Sequence, residues 1–225
     1  MDKILTIGSC RVKNPTLAYR GTRDKSVKLY MLNQNIHTLE QIIQAIEIMK
    51  QIKSSHTDVV DIRATGKKFQ CFKLKGYIKG ETWQTIDISN IDKYIIEISG
   101  VTNYVCRHGY FLNPFPKFYK HKKYKKVYSD NYLEKIKKIH QLLNNKPVLF
   151  VSNHNIMNKP SRTKLIQALS EYTCNNLKSD FFNPTNLIDA KNIKKYLLNE
   201  NHYTPIMILK VALEIFSRIK RGYKI

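Results

Sequence analysis

No apolar run in this chain approaches the roughly 18 residues needed to cross a bilayer. The chain opens directly on an apolar strand, without the charged and then apolar leader of a secreted protein. Both absences lead to the expectation of a cytoplasmic protein with no membrane partner. Cysteine is sparse and scattered: Cys10, Cys71, Cys106 and Cys174 form no CxxC pair and no Cys/His cluster with zinc spacing. No metal site is therefore expected, and no disulfide framework in a chain of this size. Acidic residues are also scarce, 17 against 39 Lys and Arg, for a net charge of +22. Such a field attracts polyanions, whether nucleic acid, anionic membrane or phosphorylated substrate. It also fits an AT-rich coding bias, because Lys, Asn, Ile and Tyr are abundant and Arg is few beside Lys. There is no internal repeat and no low-complexity segment. At 225 residues, 42% hydrophobic and 25% charged, the chain reads as one globular domain.

Apolar strands and amphipathic helices alternate along it. Lys3 to Ile7 is a short apolar run ended by Gly8-Ser9-Cys10-Arg11. From His37 to Lys53, Ile42, Ile43, Ile46 and Met49 recur at helical spacing, and Thr38 with Gln41 has the form of a capping box. Val59 to Arg63 reads as a second short strand. Lys68 to Leu74, Tyr77 to Lys79 and Trp83 to Ile88 read as a small antiparallel insertion over about residues 64–90. Tyr94 to Ile98 and Pro147 to Val151 read as buried strands, and Asp180 to Phe182 as a last short one. Helices are expected from Asn131 to Asn144, Ser161 to Asn175, Ile193 to Leu198 and Thr204 to Lys220. The expected fold is α/β, a three-layer sandwich around a mainly parallel sheet with a small antiparallel insertion. The ending Arg221-Gly222-Tyr223 leaves open whether a further domain follows.

Three strands end in polar, turn-like sequences: Gly8-Ser9-Cys10, Ser99-Gly100-Val101-Thr102-Asn103 and Ser152-Asn153-His154-Asn155. A parallel sheet brings these endings to one edge, where open α/β sheets bind ligands. Asn199-Glu200-Asn201-His202-Tyr203 precedes the final helix. A nucleophile, a histidine, an amide donor and glycine amides together are the parts needed for acyl transfer.

On these motifs the chain resembles the SGNH (GDSL-like) hydrolase superfamily. Gly8-Ser9-Cys10, Phe182-Asn183-Pro184-Thr185 and Asn201-His202-Tyr203-Thr204 are similar to its GSC- and GNC-type acyltransferase branches. Those branches act in polysaccharide assembly and include giant-virus sugar N-acetyltransferases. The resemblance implies an SGNH-like sheet and a transferase moving acetyl from acetyl-CoA to a sugar or nucleotide-linked amino sugar. It implies Cys10, or Ser9 one residue earlier, as nucleophile and His202 as base. It also implies Gly100 and Asn103 as oxyanion donors. The family's usual acid, three residues before the histidine, is Asn199 here, so Glu200 enters as an alternative partner. A viral source would place the protein in host cytoplasm or virion.

Arg11, His37, His154, Asn155 and Tyr203 are candidate substrate contacts at the same edge. Each has a structural counterpart reading: Cys10 as a core thiol, His202 as a helix cap, His154 and Asn155 as strand-end caps, Arg11 as plain surface. The basic, aromatic loop at about residues 110–128 fits single-stranded nucleic acid, a solvated surface, or a lid over an anionic ligand such as coenzyme A. Two other functions stay open. One is a carbohydrate esterase or deacetylase on the same fold; the other is a basic nucleic-acid-binding protein with a degenerate site, the less favoured partner class.

Overall fold

The computed structural model describes residues 1–20, 24, 26–52, 71–73, 82–84, 87–106, 111–112, 124–199 and 202–222. Five parallel strands form its centre: β1 (Asp2–Gly8), β2 (Val27–Asn35), β5 (Lys93–Ile98), β9 (Val148–Ser152) and β10 (Ser179–Phe182). They lie in the order β10-β9-β5-β1-β2, and the antiparallel pair β3 (Cys71–Lys73) and β4 (Thr82–Gln84) extends the sheet beyond β2. Side chains alternate along each strand and thereby sort into two cores. Leu5, Ile7, Tyr94, Ile96, Val148 and Phe150 face one. Ile4, Ile95, Leu149 and Val151 face the other.

Helices α2 (Leu39–Met49), α3 (Tyr132–Leu142) and α4 (Pro160–Cys174) cover the first face. The second is covered by α1 (Cys10–Arg20), α5 (Ile193–Tyr196) and α6 (Pro205–Arg221). The architecture is thus α/β with a mainly parallel sheet between helical layers. A separate antiparallel sheet of β6 (Thr102–Cys106), β7 (Phe111–Leu112) and β8 (Tyr124–Tyr128) follows β5. The hairpin of β11 (Leu197–Asn199) and β12 (His202–Tyr203) leads into α6.

The second parallel strand is β2, which the sequence reading does not assign; the stretch Val59 to Arg63 lies outside the described residues, as does Tyr77 to Lys79. Leu29 packs in one core while Tyr30 and Leu32 pack in the other, so β2 is buried on both faces and shows no polar alternation. Helix α1 is equally hard to read, because Pro15 sits inside it and removes an intrahelical bond. Packing overrides that cost: Tyr19 stacks on Phe216 of α6 with ring centroids 3.6 Å apart. Thr38 and Gln41 do form the capping box that starts α2.

Numbering the parallel strands along the chain gives the spatial order 2-1-3-4-5. In such doubly wound sheets the chain leaves the first and third strands in opposite directions, opening a crevice at their carboxyl ends. Here that crevice lies after Gly8 and Ile98.

Candidate active site

The turn after β1 is built around a buried carboxylate. A Cβ at Gly8 would lie 2.6 Å from both Glu97 Cβ and Val12 Cγ2, so only glycine fits there. Ser9 donates to Glu97 Oε2 through its backbone N–H at 2.7 Å and through its hydroxyl at 2.6 Å. Arg11 donates from Nε to Glu97 Oε1 at 2.7 Å and from Nη2 to Ser99 Oγ at 2.9 Å. Glu97 is 0% exposed and Arg11 8%. Burial by itself would raise the Glu97 carboxyl. The Arg11 guanidinium, the nearby His37 and the bonds from Ser9 and Arg11 outweigh it and hold the carboxyl below its ordinary value. Arg11 is therefore neither plain surface nor a spare anion fork, because it neutralises Glu97 and braces the turn. Ser9, buried and donating to Glu97, has its hydroxyl proton committed. Cys10 begins α1 and is half-buried with a free thiol.

His37, between β2 and α2, contacts Ser99 Oγ through Nδ1 at 3.1 Å. The Ser99 hydroxyl accepts from Arg11 and keeps both a proton and a second lone pair, so the donor in its contact with His37 Nδ1 follows the imidazole tautomer. His37 Nε2 is buried and has no hydrogen-bond partner among the described residues. Burial is the main cause that lowers the His37 pKa to about 4, helped by Arg11 and Lys13 and opposed by Glu97.

A pH dependence of stability follows. His37 stays neutral in the fold while its unfolded counterpart takes up a proton near pH 6.5, so stability falls as pH drops from about 6.5 to about 4. The full effect is on the order of 3 kcal/mol, and His37→Gln removes it. The depressed Glu97 acts in a lower window: its contribution is complete above the unfolded carboxyl value and is lost as pH falls through the folded one. Denaturant titrations at pH 7, 5.5 and 4.5 check this, and a His37→Gln profile as steep as wild type between pH 6.5 and 4.5 would refute it.

The oxyanion donors expected from the resemblance are engaged elsewhere. The Gly100 N–H donates to the His37 carbonyl at 2.7 Å. Asn103 is 1% exposed and donates to Glu40 at 2.8 Å and Ser129 at 3.2 Å while accepting from Thr38. Together with the Lys135–Glu40 ion pair it joins α2 and α3 to the small sheet. Asn155 is a clamp. Its Nδ2 donates to Thr163 at 3.0 Å, its Oδ1 accepts from the Lys159 N–H at 2.9 Å, and its own N–H donates to Thr185 at 2.8 Å. These three residues hold structure, and their polar atoms are not turned to a substrate.

Three other groups gather at the edge. Asn153, just after β9, is 3% exposed, and among the described residues neither Nδ2 nor Oδ1 has a partner. The His154 ring is tilted against Tyr203 at 6.0 Å. The Tyr203 hydroxyl is buried without a partner among the described residues, and burial, with Glu97 nearby, raises its pKa.

His202 is exposed, and its Nδ1 lies 2.9 Å from Asn199 Oδ1. An amide oxygen only accepts, so Nδ1 carries the proton and Nε2 is left as the basic nitrogen. Thr204, rather than His202, caps α6. The β12 strand packs against α1, whose first residue is Cys10. Glu200 lies outside the described residues.

Residues 2–123 match the sequence signature of the TviD N-terminal domain. That stretch is more than half of the chain and contains the Gly8–Arg11 turn, His37 and Glu97. The chain belongs to the TviD N-terminal domain family. Membership in the TviD N-terminal domain family links it coarsely to polysaccharide biosynthesis. No curated protein matches the chain. The TviD N-terminal match covers the Gly8–Arg11 turn and stops before Asn153 and His202.

Among the described residues no group of His, Cys, Asp and Glu is arranged to hold a metal, and no helix is long and apolar enough to cross a membrane. Sequence reasoning misses Glu97, Ser99 and Asn153. Glu97 carries a signal, since a lone acid inside the apolar strand Lys93–Ile98 must be paired to be buried.

Proposed function

We propose that this domain transfers an acyl group, acetyl from acetyl-CoA, to a sugar or nucleotide-linked amino sugar during polysaccharide assembly, on an SGNH-like scaffold. The observation that carries the reading is the Asn199–His202 pair. It presents a tautomerically fixed, exposed base on the hairpin packed against the helix that Cys10 begins.

The combination of residue types supports it. A Ser-His-Asp set needs the carboxylate to stabilise the imidazolium that forms as serine is deprotonated. A thiol gives up its proton more readily, and Cys-His-Asn sets occur among cysteine hydrolases. Here both departures from the resembled pattern, cysteine for serine and asparagine for aspartate, occur together.

In the reaction His202 Nε2 takes the Cys10 thiol proton and the sulfur attacks the thioester carbonyl. The tetrahedral adduct expels coenzyme A, which leaves with that proton, and acetyl remains on Cys10. The acceptor's hydroxyl or amine then gives a proton to His202 and attacks the new thioester, and the thiol is restored. The net positive charge favours capture of the phosphate-bearing donor.

Incubation with acetyl-CoA and a panel of nucleotide amino sugars, followed by coenzyme A release, tests the reading. Acceptor-dependent release that falls about 10²- to 10⁴-fold in a folded His202→Ala variant is expected. Equal release with water alone assigns an esterase instead, and no release from the folded wild type removes acyl transfer.

A further inference from the structure

Buried polar groups without partners cost free energy and point to a ligand or ordered water that satisfies them. Two side chains at this edge are more than nine-tenths buried and, among the described residues, unpartnered: Asn153 at 3% exposure and Tyr203, by its hydroxyl, at 5%. His37, a half-buried residue, adds a third buried atom without a partner among the described residues, its Nε2.

The three share one neighbourhood. Ser152 pairs with Ile98 in the sheet, so Asn153 follows at the level of Ser99, which bonds both His37 and Arg11. His154, next to Asn153, lies against the Tyr203 ring. Tyr203 in turn senses the charges of Glu97 and Arg11 and the Cys10 thiol.

Their hydrogen-bonding pattern is specific. Asn153 offers one donor and one acceptor group on the same amide, the Tyr203 hydroxyl offers both, and His37 Nε2 offers a donor or an acceptor according to the imidazole tautomer. None carries charge at neutral pH, so an anion gains little from them. Two neighbouring hydroxyls match Asn153 well, one accepting from Nδ2 and the other donating to Oδ1. Adjacent hydroxyls are the common feature of pyranose rings.

We infer that Asn153, Tyr203 and His37 form a subsite for the adjacent hydroxyls of a sugar ring, with Asn153 as its specificity residue. The inference rests on the reading of this edge as a sugar-modifying site, but binding needs no acyl donor and can be measured alone.

The test is NMR titration of the protein with N-acetylglucosamine and with N-acetylgalactosamine, with no acetyl-CoA present, alongside thermal melts. Wild type is expected to show saturable binding to at least one of the two. Asn153→Leu, close in shape and free of polar atoms, is expected to bind tenfold or more weakly while its Tm stays equal or rises. Tyr203→Phe keeps the ring against His154 and loses only the hydroxyl, so it gives the same pattern with a smaller loss.

No binding by wild type, unchanged affinity in Asn153→Leu, or a lower Tm in both variants overturns the inference. Sugar binding without acetyl transfer keeps the subsite and removes the transferase reading. Acetyl transfer that Asn153→Leu leaves untouched does the reverse.

Discussion

Glu97→Ala is expected to lower unfolding free energy by about 3–5 kcal/mol, the cost of removing one partner from a buried ion pair. The size follows from what remains. Arg11, 8% exposed, keeps a guanidinium whose Nε acceptor has gone. Ser9 loses the acceptor of both its N–H and its hydroxyl at the same time. Typical domains have about 5–15 kcal/mol of stability, so this single change removes a large share of it.

Glu97→Gln tests the origin of the loss. It keeps an oxygen for Ser9 and leaves the Arg11 charge unbalanced, so it falls between wild type and alanine. The double variant Arg11→Met/Glu97→Leu removes both charges and is expected to recover most of the alanine loss, because a buried pair contributes little net stability over apolar replacements. Urea denaturation at pH 7 measures all three. A Glu97→Ala loss under 1 kcal/mol would sink the idea that this pair holds the turn.

The same residues show what a single sequence reveals and what it hides. Strands β1, β5 and β9 are readable as short apolar runs because a sheet covered on both faces leaves them no polar side, and β10 is marked only by Phe181-Phe182. Helices α2, α3, α4 and α6 announce themselves by periodicity, and Thr38 with Gln41 marks the start of α2. Helix α1 and strand β2 are hidden, since Pro15 breaks one pattern and Lys28, Asn33, Gln34 and Asn35 interrupt the apolar run of the other.

At the site, local relations are legible. The Asn199–His202 bond spans three residues, and the Gly8 turn follows its strand directly. Glu97 and Ser99 matter through contacts made across the sheet, which no local spacing records, and Asn153 through the want of a partner among the described residues. Asn103 illustrates the opposite case: its position near a strand end suggests an oxyanion donor, yet folding turns it into the Glu40 network. A strand-end polar residue is therefore evidence of a site only once its partners are known, and the unpartnered Asn153 is the informative one.

Cys10→Ala is expected to reduce acetyl transfer at least 10³-fold while leaving the fold intact, the scale seen when a nucleophile acting with its base is removed. The half-buried thiol is free, so the change breaks no disulfide. Cys10→Ser separates the covalent route from direct transfer. In the covalent route a serine must be deprotonated by a histidine oriented only by neutral Asn199, so Cys10→Ser stays almost as impaired as alanine. Adding a carboxylate in Asn199→Asp to that serine variant supplies the missing charge, and the double variant Cys10→Ser/Asn199→Asp is expected to outperform Cys10→Ser by tenfold or more. Mass spectrometry of wild type with acetyl-CoA and no acceptor should then show one added acetyl group on Cys10. Full transfer in Cys10→Ala, with loss only in His202→Ala, would instead make His202 the general base for direct attack by the acceptor and leave Cys10 a bystander.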